Sequence, residues 1–442
     1  MDRRSFLASA AALGAAPLLS REVEAQAKPP ILKEAQAQAK SANLKIKAVE
    51  LWRVTGDLKR YDAYLDEEYP KGGMVRPAPV AGRGGAAGPA GPGGPAPTAP
   101  SRIYMKIVTD GGPEGFYGPH DQNVVDEVMK VRSVVGLDPL AIDTVWESMV
   151  TGDNRYTGTY MFAVSAITNT LWDLKGKFCN LPVYKLLGGS RKIVDCYATT
   201  IGMPVNTIDV IAEGAARVKK AGFKGQKWFP TLGPRDGAEG FDFNVTMMRT
   251  LREVCGENYD IMIDGLTRWD LPFGMRWCKA VEQYRPRWLE EPFQTYSQVE
   301  TLARLRQMTP IAIATGEHNH NRWEFYELIK AGAVDILEPD TEWCGGISEV
   351  TRICALASAA GLKVSPHHMK LNALAHLVAS QPPAVCPLVE NRHSMYMGTK
   401  YFEKNPIGHN GNSQIELSDR PGFGVELDDS KIVKMEKIFP TA

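Results

Sequence analysis

IMID (261–264), RWLEE (287–291), IAIATGEH (311–318), DILEPD (335–340), LKVSPHH (362–368) and CPLVE (386–390) are six short apolar runs, each closing on a carboxylate or a histidine. Segments of helix length separate them. One residue from the close of each run, Asp264, Glu290, Glu317, Asp340, His367 and Glu390, recurs roughly every 25 residues, the length of one strand-plus-helix unit in a barrel of alternating strands and helices. All strand ends of such a barrel open on one face. The spacing therefore brings three carboxylates, then an acid and a histidine, into one pocket.

The 442 residues, 44% of them apolar and with no formal net charge, leave room for a large barrel and a smaller domain. Balanced charge, without a basic block or a basic strip interleaved with aromatics, argues against a nucleic-acid partner. The start is different in kind. MDRRSFL (1–7), a run of small residues and the small-x-small site Ala25-Gln26-Ala27 read as a twin-arginine export signal over 1–27, removed on maturation. Gly14, Pro17 and the short span disfavour a membrane-crossing helix there. Export by that route carries folded proteins and suits a periplasmic or secreted metal enzyme. The seven cysteines are scattered, never in a CxxC pair, and read as buried small hydrophobes.

A polar linker (28–44) precedes a first strand, KIKAVELWRV, from Lys45. The second, RIYMKIVTD (102–110), alternates Ile103, Met105 and Ile107 against Tyr104 and Lys106, and a short return strand follows at Gly115-Phe116-Tyr117. Between the first two lies 72–100, dominated by Gly, Pro and Ala with Arg76 and Arg83. This composition cannot bury enough apolar surface to order itself, and it reads as a disordered surface insertion or, functionally, as a lid that closes on substrate. From His120 to Leu187 the pattern is helical, with Val124, Val128, Val131 and Val135 on one face, and it stops at Gly188-Gly189. The barrel region, 191–410, starts near Asp195-Cys196-Tyr197-Ala198 and continues with GFKGQKWFP (222–230). The tail over 411–442 lacks barrel rhythm and is expected to fold back on the N-terminal domain, with turns at Gly422 and Gly424.

Three carboxylates from consecutive strand ends, Asp264, Glu290 and Glu317, can offer oxygen ligands to a hard divalent cation such as Mg²⁺. Asp340 and His367, from the next two strand ends, suit an oriented base: the carboxylate keeps one ring nitrogen as N–H and makes the other more basic. A cation facing a base is what removal of a proton beside a carboxylate requires. Lys227 could add positive charge and Glu390 a hydrogen bond. Each residue alone has a plainer reading as a helix cap, a surface charge or a core histidine; the fixed period makes a shared accident improbable. Glu291 reads as a support for its neighbour. His318 reads equally as a substrate contact or a structural hydrogen bond, while His368 and Trp343 fit structural or pocket-wall positions.

LWDLKGKFCNLPVYKLLGG (171–189), WLEEP (288–292), TGEH (315–318), PDTEWCGG (339–346), Pro366-His367 and PGFGVEL (421–427) resemble the enolase superfamily, its mandelate racemase-like subgroup, and within that the L-rhamnonate dehydratases. The resemblance runs from about residue 45 to the C-terminus. It implies an α/β fold: a modified TIM barrel, (β/α)₇β, under an α+β capping domain spanning 45–190. It also implies Mg²⁺ on Asp264, Glu290 and Glu317, with His367 as base assisted by Asp340. Glu390, Lys227 and His318 would contact a sugar-acid substrate, and the subgroup suggests a homo-oligomer.

Racemases of the subgroup carry a second base two residues after the Lys227 position, and here that residue is Phe229. With a base on one side only, loss of a β-hydroxyl is favoured over racemisation, so the expected reaction is dehydration of a sugar acid to a 2-keto-3-deoxy acid. The 72–100 insertion replaces the part of the cap that contacts sugar, and Pro366-His367-His368-Met369 departs from the small polar residues expected after the histidine. L-Rhamnonate or another acid sugar thus remains open. An epimerase or cycloisomerase on the same scaffold, or a non-catalytic sugar-acid binder, are the alternatives.

Overall fold

Alternation of apolar side chains builds the first sheet. Along Ser101–Thr109 (β2), Ile103, Met105 and Ile107 are buried, and β2 pairs antiparallel with Ile46–Thr55 (β1) and Gly115–His120 (β3). These side chains pack with Ala163, Val164, Ile167 and Leu171 of the helix Thr159–Cys179, which ends at the left-handed residue Asn180. The opposite face is not left to solvent. Tyr104, Tyr117 and Val54 are buried too and belong to the core of the neighbouring barrel. A sheet covered on both faces explains why Tyr104, an outward position by alternation, has no exposure.

The computed structural model describes residues 44–68, 99–131, 133–153, 156–294, 298–392 and 400–440. The expected export signal, the linker through 43 and all but the last two residues of the 72–100 insertion lie outside the described residues. Among the described residues no helix is long and apolar enough to cross a membrane. The helical face expected from Val124 to Val135 is corrected: the helix covers Gln122–Val128 only, and Val135 is exposed while Val134 is buried. Gly136, at φ +85°, turns the chain where a longer helix would continue.

Eight strands then run parallel in chain order: Ile193–Thr199 (β4), Gly225–Trp228 (β5), Asp260–Asp264 (β6), Trp288–Glu290 (β7), Ile313–Thr315 (β8), Ile336–Leu337 (β9), Lys363–Val364 (β10) and Leu388–Arg392 (β11). The last returns beside β4, and Val364 N donates to Val385 O at 2.8 Å across the remaining seam. A helix follows each of the first seven strands, as (β/α)₇β requires. Tyr197, Met262, Trp288, Ala314 and Ile336 fill the interior as one layer. Side chains on a strand alternate, so the residues two further along, among them Asp264, Glu290 and Glu338, turn inward above that layer.

The C-terminal segment is shared between both parts. Gln414–Glu416 (β12) joins β4 antiparallel at the edge of the barrel sheet, and Lys434–Pro440 (β13) pairs with β1. Between them Gly422, at φ +72°, lies so close to the helix Thr159–Cys179 that a Cβ would fall 2.2 Å from Asp173 Oδ1. Asp173 is buried. Its Oδ2 accepts from Phe116 N at 2.8 Å and its Oδ1 from Phe423 N at 2.9 Å, while Lys177 Nζ lies 2.6 Å from Oδ2. One carboxylate thus ties the cap helix to β3 and to the returning chain. Replacing it strands two buried N–H groups, so Asp173→Ala is expected to lower the unfolding free energy by about 2–4 kcal/mol. Urea denaturation followed by circular dichroism checks this; a loss below about 1 kcal/mol would mean the clamp is not what joins these segments.

Candidate active site

Asp264 and Glu290 are the last residues of neighbouring strands and stand opposite each other in register. Glu317 follows β8 by two residues. One carboxylate oxygen from each lies within 4.8 Å of the other two. Lys227, buried on β5, pairs with Glu290 and reaches Glu390 Oε1 at 3.0 Å and Asp264 Oδ2 at 3.9 Å. Burial works against the ammonium, but Glu290 and Glu390 overcome it and hold Lys227 well above the ordinary lysine range. Burial and the neighbouring Glu290 raise Asp264 well above the carboxylate range, and burial together with Glu291 pushes Glu317 up to about 8. These acids outnumber the ammonium among them, so the cluster is short of positive charge. An oxygen-only donor set with that deficit fits a hard divalent cation.

A second grouping shares Glu317 with Glu291 and His318. It fits a metal poorly. His318 Nδ1 is 2.7 Å from Glu291 Oε2; burial opposes its charge, yet Glu291 pushes it up to about 9, and a protonated imidazole cannot ligate. Glu291 is itself fixed by Thr315 Oγ1 at 3.2 Å and by Gly316 N at 3.4 Å. His318 is therefore a half-exposed cation beside the cluster, seated on Glu291.

His367 faces this group. Its Nδ1 lies 2.6 Å from Asp340 Oδ2, and its Nε2 lies 3.2 Å from Glu317 Oε2. Arg392 Nη2 approaches the same Nε2 at 2.7 Å. A guanidinium only donates, so Nε2 is an acceptor and Nδ1 carries the hydrogen toward Asp340. Burial, then the Arg392 charge, hold His367 well below the usual histidine range and keep the ring neutral. Glu390 Oε2 accepts from His368 N at 2.8 Å, and His368 Nδ1 accepts from Arg392 N at 3.0 Å. His368 thus has a structural position. Phe229 is buried, with the Lys227 ammonium 5.6 Å from its ring centre.

Beside the cluster opens a cavity of about 540 Å³ lined by Thr157, Phe162, His318, His320, Glu324 and Trp343. Phe162 stacks on Trp343 at 5.4 Å, and Trp343 lies 5.0 Å from His367, so the aromatic wall leads to the imidazole. The structure brings all eight singled-out residues, Lys227, Asp264, Glu290, Glu317, His318, Asp340, His367 and Glu390, into one connected region. Three others there went unread. Glu338 is buried with Oε2 unpartnered among the described residues, raised well above the carboxylate range by burial and then by Glu290. Arg392 and Glu342 also belong to it. Counting by two from the inward Ile336 and Glu390 would have found Glu338 and Arg392.

Residues 209–431 match the enolase C-terminal domain-like family, and residues 103–188 the mandelate racemase / muconate lactonizing enzyme N-terminal domain. L-Rhamnonate dehydratase of Saccharopolyspora erythraea is 33% identical over 334 residues, 73% of this chain and 79% of that one. The fold is similar to that of L-talarate dehydratase from Polaromonas sp. JS666, solved with Mg and L-glucarate (24% identity, TM-score 0.68, 90% of this chain and 99% of that one). It is also similar to the 3,6-anhydro-D-galactonate cycloisomerase from Zobellia galactanivorans (25% identity, TM-score 0.69, 88% of this chain and 100% of that one). Both domain matches and the 33% identity over 73% of this chain lead to one conclusion: this chain is an enzyme of the enolase superfamily, in the mandelate racemase/muconate lactonizing enzyme family, and its named relative is a hydro-lyase.

Proposed function

We propose that the chain is a Mg²⁺-dependent acid-sugar dehydratase that converts a sugar acid to its 2-keto-3-deoxy acid, with L-rhamnonate the first substrate to try. The observation that carries this reading is a neutral, Asp340-oriented His367 facing three clustered carboxylates, with Phe229 where a second base would stand. The 33% identity to L-rhamnonate dehydratase supports it. The twin-arginine start supports export of the folded enzyme.

Asp264, Glu290 and Glu317 would hold the cation, whose contribution when bound is to neutralise charge gathering on the acid's carboxylate. His367 Nε2, giving up its hydrogen bond from Arg392 as substrate enters, removes the proton from the carbon beside that carboxylate, and the released electron pair enters the carboxylate. Asp340 keeps Nδ1–H in place and stabilises the imidazolium that results. As the electron pair returns to form the carbon–carbon double bond, the β carbon–oxygen bond breaks. The hydroxyl leaves as water with the proton His367 carried, and the enol product tautomerises to the keto acid. Lys227 places positive charge beside the cluster, and Glu390 adds hydrogen-bonding oxygens. The aromatic wall of Phe162 and Trp343 packs the C–H faces of the sugar chain, with charged His318 near its hydroxyls.

Racemisation or epimerisation needs a proton delivered to the other face of the carbanion, and Phe229 has none to give. His367→Asn is expected to cut keto-acid formation by at least ~10²-fold while leaving the rise in melting temperature on adding Mg²⁺ unchanged. Full activity in that variant would refute the role of the base. Solvent deuterium entering the α position without any keto acid would point instead to an epimerase or cycloisomerase. Chelation with EDTA is expected to abolish turnover and lower the melting temperature, both reversed by Mg²⁺; occupancy at a hundredfold over Kd corresponds to about 2.7 kcal/mol. Turnover that survives exhaustive chelation would rule out the cation's part.

A further inference from the structure

Between the cap and the barrel lies a set of buried polar groups that the chemistry above leaves unused. Glu342, two residues past Asp340, is its centre. Its Oε1 accepts from Tyr117 Oη at 2.6 Å and from Asn169 Nδ2 at 3.0 Å, and its Oε2 from Lys370 Nζ at 2.6 Å. Tyr117 is on β3 and Asn169 on the helix Thr159–Cys179, so two donors come from the cap. Lys370 is three residues beyond His367. Its ammonium also donates to His120 Nδ1, at 2.9 Å, at the end of β3.

The same residue holds the base's partner. Glu342 N donates to Asp340 Oδ1 at 2.6 Å, while Asp340 Oδ2 faces His367 Nδ1. The contacts close a ring: Asp340 to His367, along the chain to Lys370, across to Glu342, and back through its own N–H to Asp340. Asn169 braces the loop from outside as well, donating from Nδ2 to Thr341 O at 3.0 Å and accepting at Oδ1 from Ile347 N at 2.9 Å. A carboxylate buried this deeply with three donors is rigid, and removing it would leave donors from both domains unmatched.

We infer that Glu342 is a positioning residue for the Asp340–His367 pair, and that the cap residues Tyr117 and Asn169 orient the base through it. The inference rests on the reading of His367 as the base. It gives the cap a part in proton removal besides covering the pocket, since the cap fixes the angle at which the imidazole meets the α-hydrogen. A misplacement of the order of 1 Å costs about 10²-fold in rate when reacting groups must be aligned.

The test compares Glu342→Ala, Glu342→Gln and the milder Tyr117→Phe, each normalised to folded protein, on L-rhamnonate and its α-deuterated form. Proton NMR of the free enzymes is run in parallel, with the low-field imidazole N–H signal assigned by its loss in His367→Asn. Glu342→Ala is expected to lose kcat by about 10–10²-fold with KM changed by less than about threefold. The deuterium effect on kcat should grow, and the low-field signal should weaken even without substrate. Glu342→Gln, which keeps an acceptor for the cap donors, should recover part of the loss, and Tyr117→Phe should move in the same direction by a smaller factor. A purely structural brace would lower stability but leave kcat, the deuterium effect and the signal per folded molecule at wild-type values in Tyr117→Phe and Glu342→Gln, and that result would overturn the inference. If His367→Asn itself stays active, it is the assignment of the base that fails; if His367→Asn is dead while the Glu342 and Tyr117 variants behave as wild type, only the present inference falls.

Discussion

Carboxylates held together away from water repel one another, and the mouth of this barrel is organised around that repulsion. Asp264, Glu290 and Glu317 converge to within 4.8 Å, with Glu338 buried beside them. Burial first, and then like charges at this range, disfavour ionisation, which is why Asp264 and Glu317 are raised out of the carboxylate range. Lys227 relieves part of the strain and is itself held charged by the acids around it. An aromatic and aliphatic layer, Tyr197, Met262, Trp288, Ala314 and Ile336, fills the barrel beneath the cluster and adds to the packing that offsets its cost.

The opposite wall has the complementary character. His367 is kept neutral by burial and by Arg392, and its hydrogen is committed to Asp340, so Nε2 keeps its lone pair, which accepts from Arg392 on the side of the acids. A charge-poor base facing a cation-seeking cluster is a division of labour that one strand could not provide. It needs the parallel barrel, where residues from β6, β7 and the loops after β8, β9 and β10 reach the same rim. The cap contributes from the other side, through Asp173 to the returning C-terminal chain and through Tyr117 and Asn169 to the loop that carries Asp340.

Much of this was legible in the sequence because strand ends repeat at a fixed interval. Asp264 and Glu290 follow inward-facing Met262 and Trp288 by two residues, so period and polarity pointed the same way. Glu338, Arg392 and Glu342 escaped because each stands next to a stronger signal: Asp340 in one run, Glu390 in another. A reading that takes one acid per strand passes over its neighbour on the same face. Alternation placed Tyr104 on the face opposite Ile103, Met105 and Ile107 but could not report what covers that face; packing against the barrel core buries it. Val131 and Val135 kept helical spacing past Val128, the last residue of the helix, on the way to the turn at Gly136, so pattern alone overran the element.

The central claim is that the three-carboxylate cluster takes one divalent cation across from the imidazole. Crystals of the protein grown with Mn²⁺ in place of Mg²⁺ and measured at the manganese absorption edge would locate the ion directly by its anomalous signal. A single peak bounded by Asp264, Glu290 and Glu317, with His367 across the pocket and not coordinated, is the predicted result. A peak held by Glu291 and His318 instead, or no peak at a saturating concentration, would contradict the account.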